Sequence, residues 1–176
     1  GPGQKVRAAL AACIDELGRY PDGNGFALKE ALAEHLGVSQ NALTLGNGSN
    51  DVLELVARAF ATPAHDIVLS QHAFAVYALV AQAVGAKTIV TSARDWKHDL
   101  EAMSRAISHD TRIVFVANPN NPTGTWSGAQ ELETFIQSVP DNVLVVVDEA
   151  YFEYVEEKDY PNCVSWVARY SNQIGR

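Results

Sequence analysis

Read from the N-terminus, apolar residues first recur at helical spacing: Val6, Ala9, Leu10, Cys13, Ile14 and Leu17 share one face of a helix predicted over residues 4–17. Pro21, Gly23 and Gly25 break that rhythm, so residues 19–25 read as loop. A second amphipathic helix is predicted over residues 26–36, stopped by Gly37, because glycine accepts the left-handed turn that ends a helix. From Leu43 the pattern changes. Short apolar, often β-branched runs at 43–45, 67–69, 88–90, 113–116 and 143–147 alternate with helical stretches at 50–60, 74–84, 99–106 and 127–138. Ser127, with Gln130 three positions on, has the form of a capping box. Residues 143–147 are apolar at every position, as suits a strand buried on both faces. A last helix is predicted over 163–169 with no strand after it, and residues 171–176 read as neither strand nor core helix.

Strands alternating with helices imply an α/β fold: a mostly parallel sheet with helices on both faces, preceded by a helical N-terminal segment. The expected division is residues 1–42 and 43–176, the second being a partial α/β domain. A length of 176 residues suits one domain, or one and part of another, and 47% hydrophobic residues allow a sizeable core. A formal charge of −8 argues against nucleic acid or an anionic membrane as partner, since both attract basic patches. No apolar run has the length of a membrane span and no signal-peptide pattern opens the chain. Cys13 and Cys163 lie far apart and form no CxxC, so a reduced, cytoplasmic setting is expected and no metal site is.

In open α/β sheets ligands sit beyond the C-terminal ends of the strands, so the residues after each strand are the candidates. After the run at 43–45 comes Gly46-Asn47-Gly48-Ser49-Asn50-Asp51, which opens a helix. Its glycines admit close approach, and free N–H groups at a helix start suit a phosphate; a plain glycine-rich turn capped by Ser49 or Asn50 is the alternative. After 67–69, Phe74 is placed either to stack on a flat ring or to fill core, and Tyr77 lies one turn further on the same side. After 113–116 comes Asn118-Pro119-Asn120-Asn121-Pro122-Thr123-Gly124, whose two Asn-Pro steps restrict the backbone; an Asn there can bond a ring oxygen or form an ordinary Asx-Pro turn. After 143–147 comes Asp148-Glu149-Ala150-Tyr151. An acid ending a buried strand calls for a cationic partner, such as a protonated pyridine nitrogen; a metal-ligating acid pair or a helix N-cap are the other readings.

The last two clusters together, Asn-Pro-Thr-Gly and then Asp-x-Ala-Tyr, each behind a strand, resemble the class I/II (fold type I) aminotransferases. With Tyr20-Pro21-Asp22 they look most like the histidinol-phosphate branch of that family. The resemblance runs to about Tyr170 and implies the large cofactor domain of that fold, with residues 1–42 belonging to its small domain. It implies pyridoxal 5'-phosphate as cofactor, histidinol phosphate and 2-oxoglutarate as substrates, and a homodimer. Carried over residue by residue, Asn121 and Tyr151 would bond the ring oxygen, Asp148 the ring nitrogen, and Phe74 would stack on the ring. Gly48, Ser49 and Asn50 would cradle the phosphate, and Tyr20 would reach the phosphate of the neighbouring subunit.

One departure stands out. The family's cofactor lysine follows Ser or Thr, and none of Lys5, Lys29, Lys87, Lys97 or Lys158 does so. The lysine is therefore expected beyond Arg176, the chain is read as a partial copy, and no catalytic residue is assigned within it. Rival readings are a related aminotransferase or phospho-amino-acid decarboxylase, a non-catalytic α/β module that kept the pocket, and a nucleotide-binding protein using residues 46–51.

Overall fold

The computed structural model describes residues 1–175, which fall into two compact units divided between Leu45 and Gly46. The first holds two helices, α1 (Gln4–Ala12) and α2 (Phe26–Leu36). The single helix expected over 4–17 is divided: after Ala12 the Cys13 N–H is shared among earlier carbonyls and the chain tightens into a 3₁₀ turn, Ile14–Glu16. Asp22 initiates α2. Its two carboxylate oxygens accept the N–H groups of Phe26 (2.6 Å) and Asn24 (3.0 Å), which hold its pKa below the ordinary value. Gly37 ends the helix at φ 69° as expected. The strand expected at 43–45 does not form. Residues Gln40–Ala42 make a 3₁₀ turn, Leu43 is extended, and no strand among the described residues pairs with it; without a ladder an extended segment stays a connector.

The second unit is a five-stranded parallel sheet of β1 (Asp66–Ser70), β2 (Lys87–Thr91), β3 (Thr111–Ala117), β4 (Leu144–Asp148) and β5 (Gln173–Gly175), in the order β2-β1-β3-β4-β5. Helices α3 (Ser49–Phe60) and α4 (Val76–Ala83) pack in one apolar layer, and α5 (Leu100–Ala106) and α6 (Ala129–Ser138) in another. The period-two alternation of a strand sorts the side chains. Ile67, Leu69, Ile113, Phe115 and Val146 join the α3–α4 layer, while Val68, Val114, Val116, Val145 and Val147 join the α5–α6 layer. Covered on both faces, these strands have no polar side, which is why they read as unbroken apolar runs.

Three expectations for this unit are corrected. The tail does contain a strand: Gln173–Gly175 pairs in parallel with Val145–Val147, and the segment before it, expected to be helical to 169, is a 3₁₀ turn over Cys163–Trp166. The expected capping box is absent. Gly128 stands at the N-cap of α6 without a side-chain bond, and the Ala129 N–H donates to the Asp159 carbonyl at 2.9 Å. Ser127 is instead tied to Asn118, as described below.

Candidate functional site

All the strands point the same way, so the loops after β1, β3 and β4 emerge at one edge of the sheet. Ala117 and Asp148 are register partners at the ends of β3 and β4, and the Asn118 N–H continues the ladder to the Asp148 carbonyl at 2.9 Å. This pairing sets the Asn-Pro loop beside the acidic loop.

The Asn-Pro loop is built on two asparagines that face inward. Asn118 is buried; its Oδ1 accepts the Ser127 N–H at 2.7 Å and its Nδ2 donates to the Ser127 carbonyl at 3.1 Å, joining the two ends of the loop. The Tyr160 hydroxyl donates to the Asn118 carbonyl. Asn120 Nδ2 donates to the His72 carbonyl (3.0 Å) and to Thr123 Oγ1 (2.7 Å), tying this loop to the one after β1. Both Asn-Pro peptide bonds are cis. Asn121, held between them, turns outward, and its Nδ2 donates to Tyr151 Oη at 3.2 Å.

Asp148 is half-buried. Its Oδ1 accepts the Ala150 N–H at 3.2 Å and its Oδ2 accepts the Tyr77 hydroxyl at 2.8 Å. Phe74 meets Tyr77 edge-on, with centroids 5.8 Å apart and an interplanar angle of 87°. Ser49 begins α3; the N-cap, Gly48, has φ 78° and ψ 177°, and no side chain caps the helix, so its first N–H groups face outward.

One cleft gathers five of the expected residues: Ser49, Phe74, Asn121, Asp148 and Tyr151. Gly48 and Asn50 flank Ser49 on the exposed start of α3 but do not line the cleft. Tyr20 belongs to the first unit, where its side chain is fully exposed. Sequence reasoning left Tyr77 undecided between core and site, and the cleft includes it, together with Ala117, Pro119 and Ala150. The i, i+3 spacing from Phe74 was the signal available for Tyr77. Its bond to Asp148 joins residues 71 apart and has no sequence signature. Burial and the adjacent Asp148 charge push the Tyr77 phenol above the ordinary tyrosine range, so it stays a proton donor.

Chemically, the cleft offers a carboxylate, a phenol–carboxamide pair, an aromatic side chain and the positive end of a helix dipole. Those are the groups that would receive a planar ring with a cationic nitrogen, a ring oxygen and an attached anion. A separate hollow of about 1240 Å³ runs between α5 and α6, and none of the five residues lines it. Both basic residues that line it are paired with acids of the same lining: Arg94 with Asp99 at 2.8 Å, Lys97 with Glu131 at 2.5 Å. Among the described residues, no group of three or more His, Cys, Asp or Glu could hold a metal, and no helix is long and apolar enough to cross a membrane.

A three-layer α/β unit with this cleft at its strand ends defines the class: the chain belongs to the aminotransferase class I and II family, which matches it over residues 3–174. It is similar to histidinol-phosphate aminotransferase 2 of Pseudomonas fluorescens, at 58% identity over 99% of this chain and 47% of that protein. Histidinol-phosphate aminotransferase 1 of Cupriavidus pinatubonensis is 57% identical over 99% of this chain and 46% of that protein. Among solved structures, histidinol-phosphate aminotransferase from Sinorhizobium meliloti, in complex with pyridoxal-5'-phosphate, superposes with a TM-score of 0.93 at 28% identity, over 99% of this chain and 48% of that one. The chain thus spans about half the length of the relatives it matches.

Proposed function

We propose that this chain forms the cofactor pocket of a pyridoxal 5'-phosphate-dependent transaminase that moves the amino group of histidinol phosphate to 2-oxoglutarate. The observation that carries the reading is the placement of Asp148 and the Asn121–Tyr151 pair on one cleft with Phe74 and Ser49. These residues fit the group. Asp148 would hold the proton of a pyridine nitrogen, Asn121 and Tyr151 would bond the ring oxygen, and Phe74 would stack on the ring. The uncapped start of α3, with Gly48, Ser49 and Asn50, would take the phosphate. Bound there, the cofactor would supply an electron sink for loss of the substrate's α-proton. Asp148 would sustain that sink by keeping the nitrogen charged, and the Asn121–Tyr151 pair would orient the ring.

Among the described residues no lysine lines the cleft. Lys87 begins β2, at the opposite end of the sheet, Lys97 is paired with Glu131, and Lys158 is exposed. We place the lysine that holds the cofactor in the half of the relatives' length that this chain does not span. The choice of histidinol phosphate is supported by the 57–58% identity to relatives of that name. A homodimer, with Tyr20 reaching the partner's phosphate site, belongs to the same reading; exposed Leu55, Phe60 and Leu79 on α3 and α4 leave apolar surface for such a contact.

The test is titration of the purified protein with pyridoxal phosphate, followed by tryptophan fluorescence and visible absorbance. Saturable binding, weakened about tenfold or more by Asp148→Asn, is expected from the loss of an ionic hydrogen bond. Binding that is absent, or indifferent to Asp148, would sink the proposal. The donor is tested by comparing histidinol phosphate with aromatic amino acids in protein of the relatives' full length.

A further inference from the structure

We propose that Tyr77 is a positioning residue for Asp148, fixing the carboxylate that faces the cofactor's ring nitrogen; this rests on the pyridoxal phosphate reading above. Tyr77 is fully buried in the α3–α4 layer. Its ring lies flat on Phe115, with centroids 4.8 Å apart and planes 6° from parallel, and Phe74 meets its edge. A phenylalanine would fill that apolar space equally well. A hydroxyl carried into it loses its water, a cost offset only if it finds a partner. That partner is Asp148 Oδ2, at 2.8 Å.

The consequence is orientation. One carboxylate oxygen receives the Tyr77 hydroxyl and the other the Ala150 N–H, so the carboxylate cannot rotate without breaking one of these bonds. The donor itself is immobile, because stacking on Phe115 fixes its ring. Asp148 is therefore aimed before any ligand arrives, and binding does not have to pay for ordering it. Through the same ring Tyr77 also supports Phe74, so one side chain braces two of the expected ring contacts.

A double-mutant cycle tests this, read as the dissociation constant of pyridoxal phosphate for the purified protein carrying this chain. The proteins are wild type, Tyr77→Phe, Asp148→Asn and the double variant. Tyr77→Phe keeps both ring contacts and removes only the hydroxyl. We expect it to weaken binding roughly five- to tenfold when Asp148 is present and less than about twofold when Asp148 is already Asn. Melting of the apo-protein should stay within a few degrees of wild type. Equal weakening in both backgrounds, no weakening, or failure of Tyr77→Phe to fold would each assign Tyr77 to the core alone and overturn the proposal. If Asp148→Asn by itself leaves affinity unchanged, the cofactor reading fails first, and this inference with it.

Discussion

Replacing Asn118 by alanine isolates the staple that closes the Asn-Pro loop. The carboxamide makes two bonds to Ser127, at 2.7 and 3.1 Å, and both residues are buried, with 1% and 3% of their surface exposed. Alanine would remove both bonds and leave the Ser127 N–H and C=O without partners where water cannot easily reach. An unsatisfied buried group costs about 1–3 kcal/mol, so the two together should cost about 2–4 kcal/mol, allowing for partial relaxation. That is a large share of the ~5–15 kcal/mol typical of a domain. Asparagine's near-isostere separates the two bonds: Asn118→Asp can still accept from the Ser127 N–H but turns an acceptor toward the Ser127 carbonyl, so it should be no more stable than alanine. Urea unfolding followed by circular dichroism gives the stability, and fluorescence titration with pyridoxal phosphate gives the affinity, which should fall because Asn121 rides on this loop. An alanine variant within about 0.5 kcal/mol of wild type, with unchanged affinity, would refute the reasoning.

Three further outcomes are expected. Gly48→Ala should destabilise by about 1–3 kcal/mol and weaken cofactor affinity: φ 78° with ψ 177° is open almost only to glycine, while an added Cβ would meet nothing within 4 Å, so the backbone alone carries the effect in a urea melt. Buried His98 has its pKa pushed down to about 4 by burial, an effect the nearby Ala117 carbonyl only partly opposes. The unfolded chain takes up that proton near pH 6.5 and the folded chain only near 4, so stability held above pH 6.5 is lost as pH falls through this window, by an amount on the order of 3 kcal/mol; His98→Leu should flatten that part of the pH–stability curve. Phe115→Ala, which removes a fully buried ring from beneath Tyr77, should cost roughly 3–5 kcal/mol in thermal unfolding, and a cost under 1 kcal/mol would contradict the stacked packing.

The sequence by itself determined four of the five strands, the helices between them and two of the loops that border the cleft. Each of those is a local statement: period-two or unbroken apolar runs, 3.6-residue stripes, and Asn-Pro or acidic strings directly behind a strand. The cleft was legible to the same extent, since Asn121, Asp148 and Tyr151 announce themselves by their neighbours. What only the tertiary structure decided is whatever depends on a partner distant in the chain. The run at 43–45 is apolar yet unpaired, whereas Gln173–Gly175, short and without pattern, is a strand because β4 offers it an edge. Ser127 looked like a helix cap, but Asn118 claims its backbone from nine residues away. Tyr77 read as core or site with nothing to choose between them; the fold buries it, stacks its ring on Phe115 and gives its hydroxyl to Asp148. Local pattern fixes which segments are strands and helices, but a hydrogen bond across 71 residues exists only once the sheet has brought its two ends together.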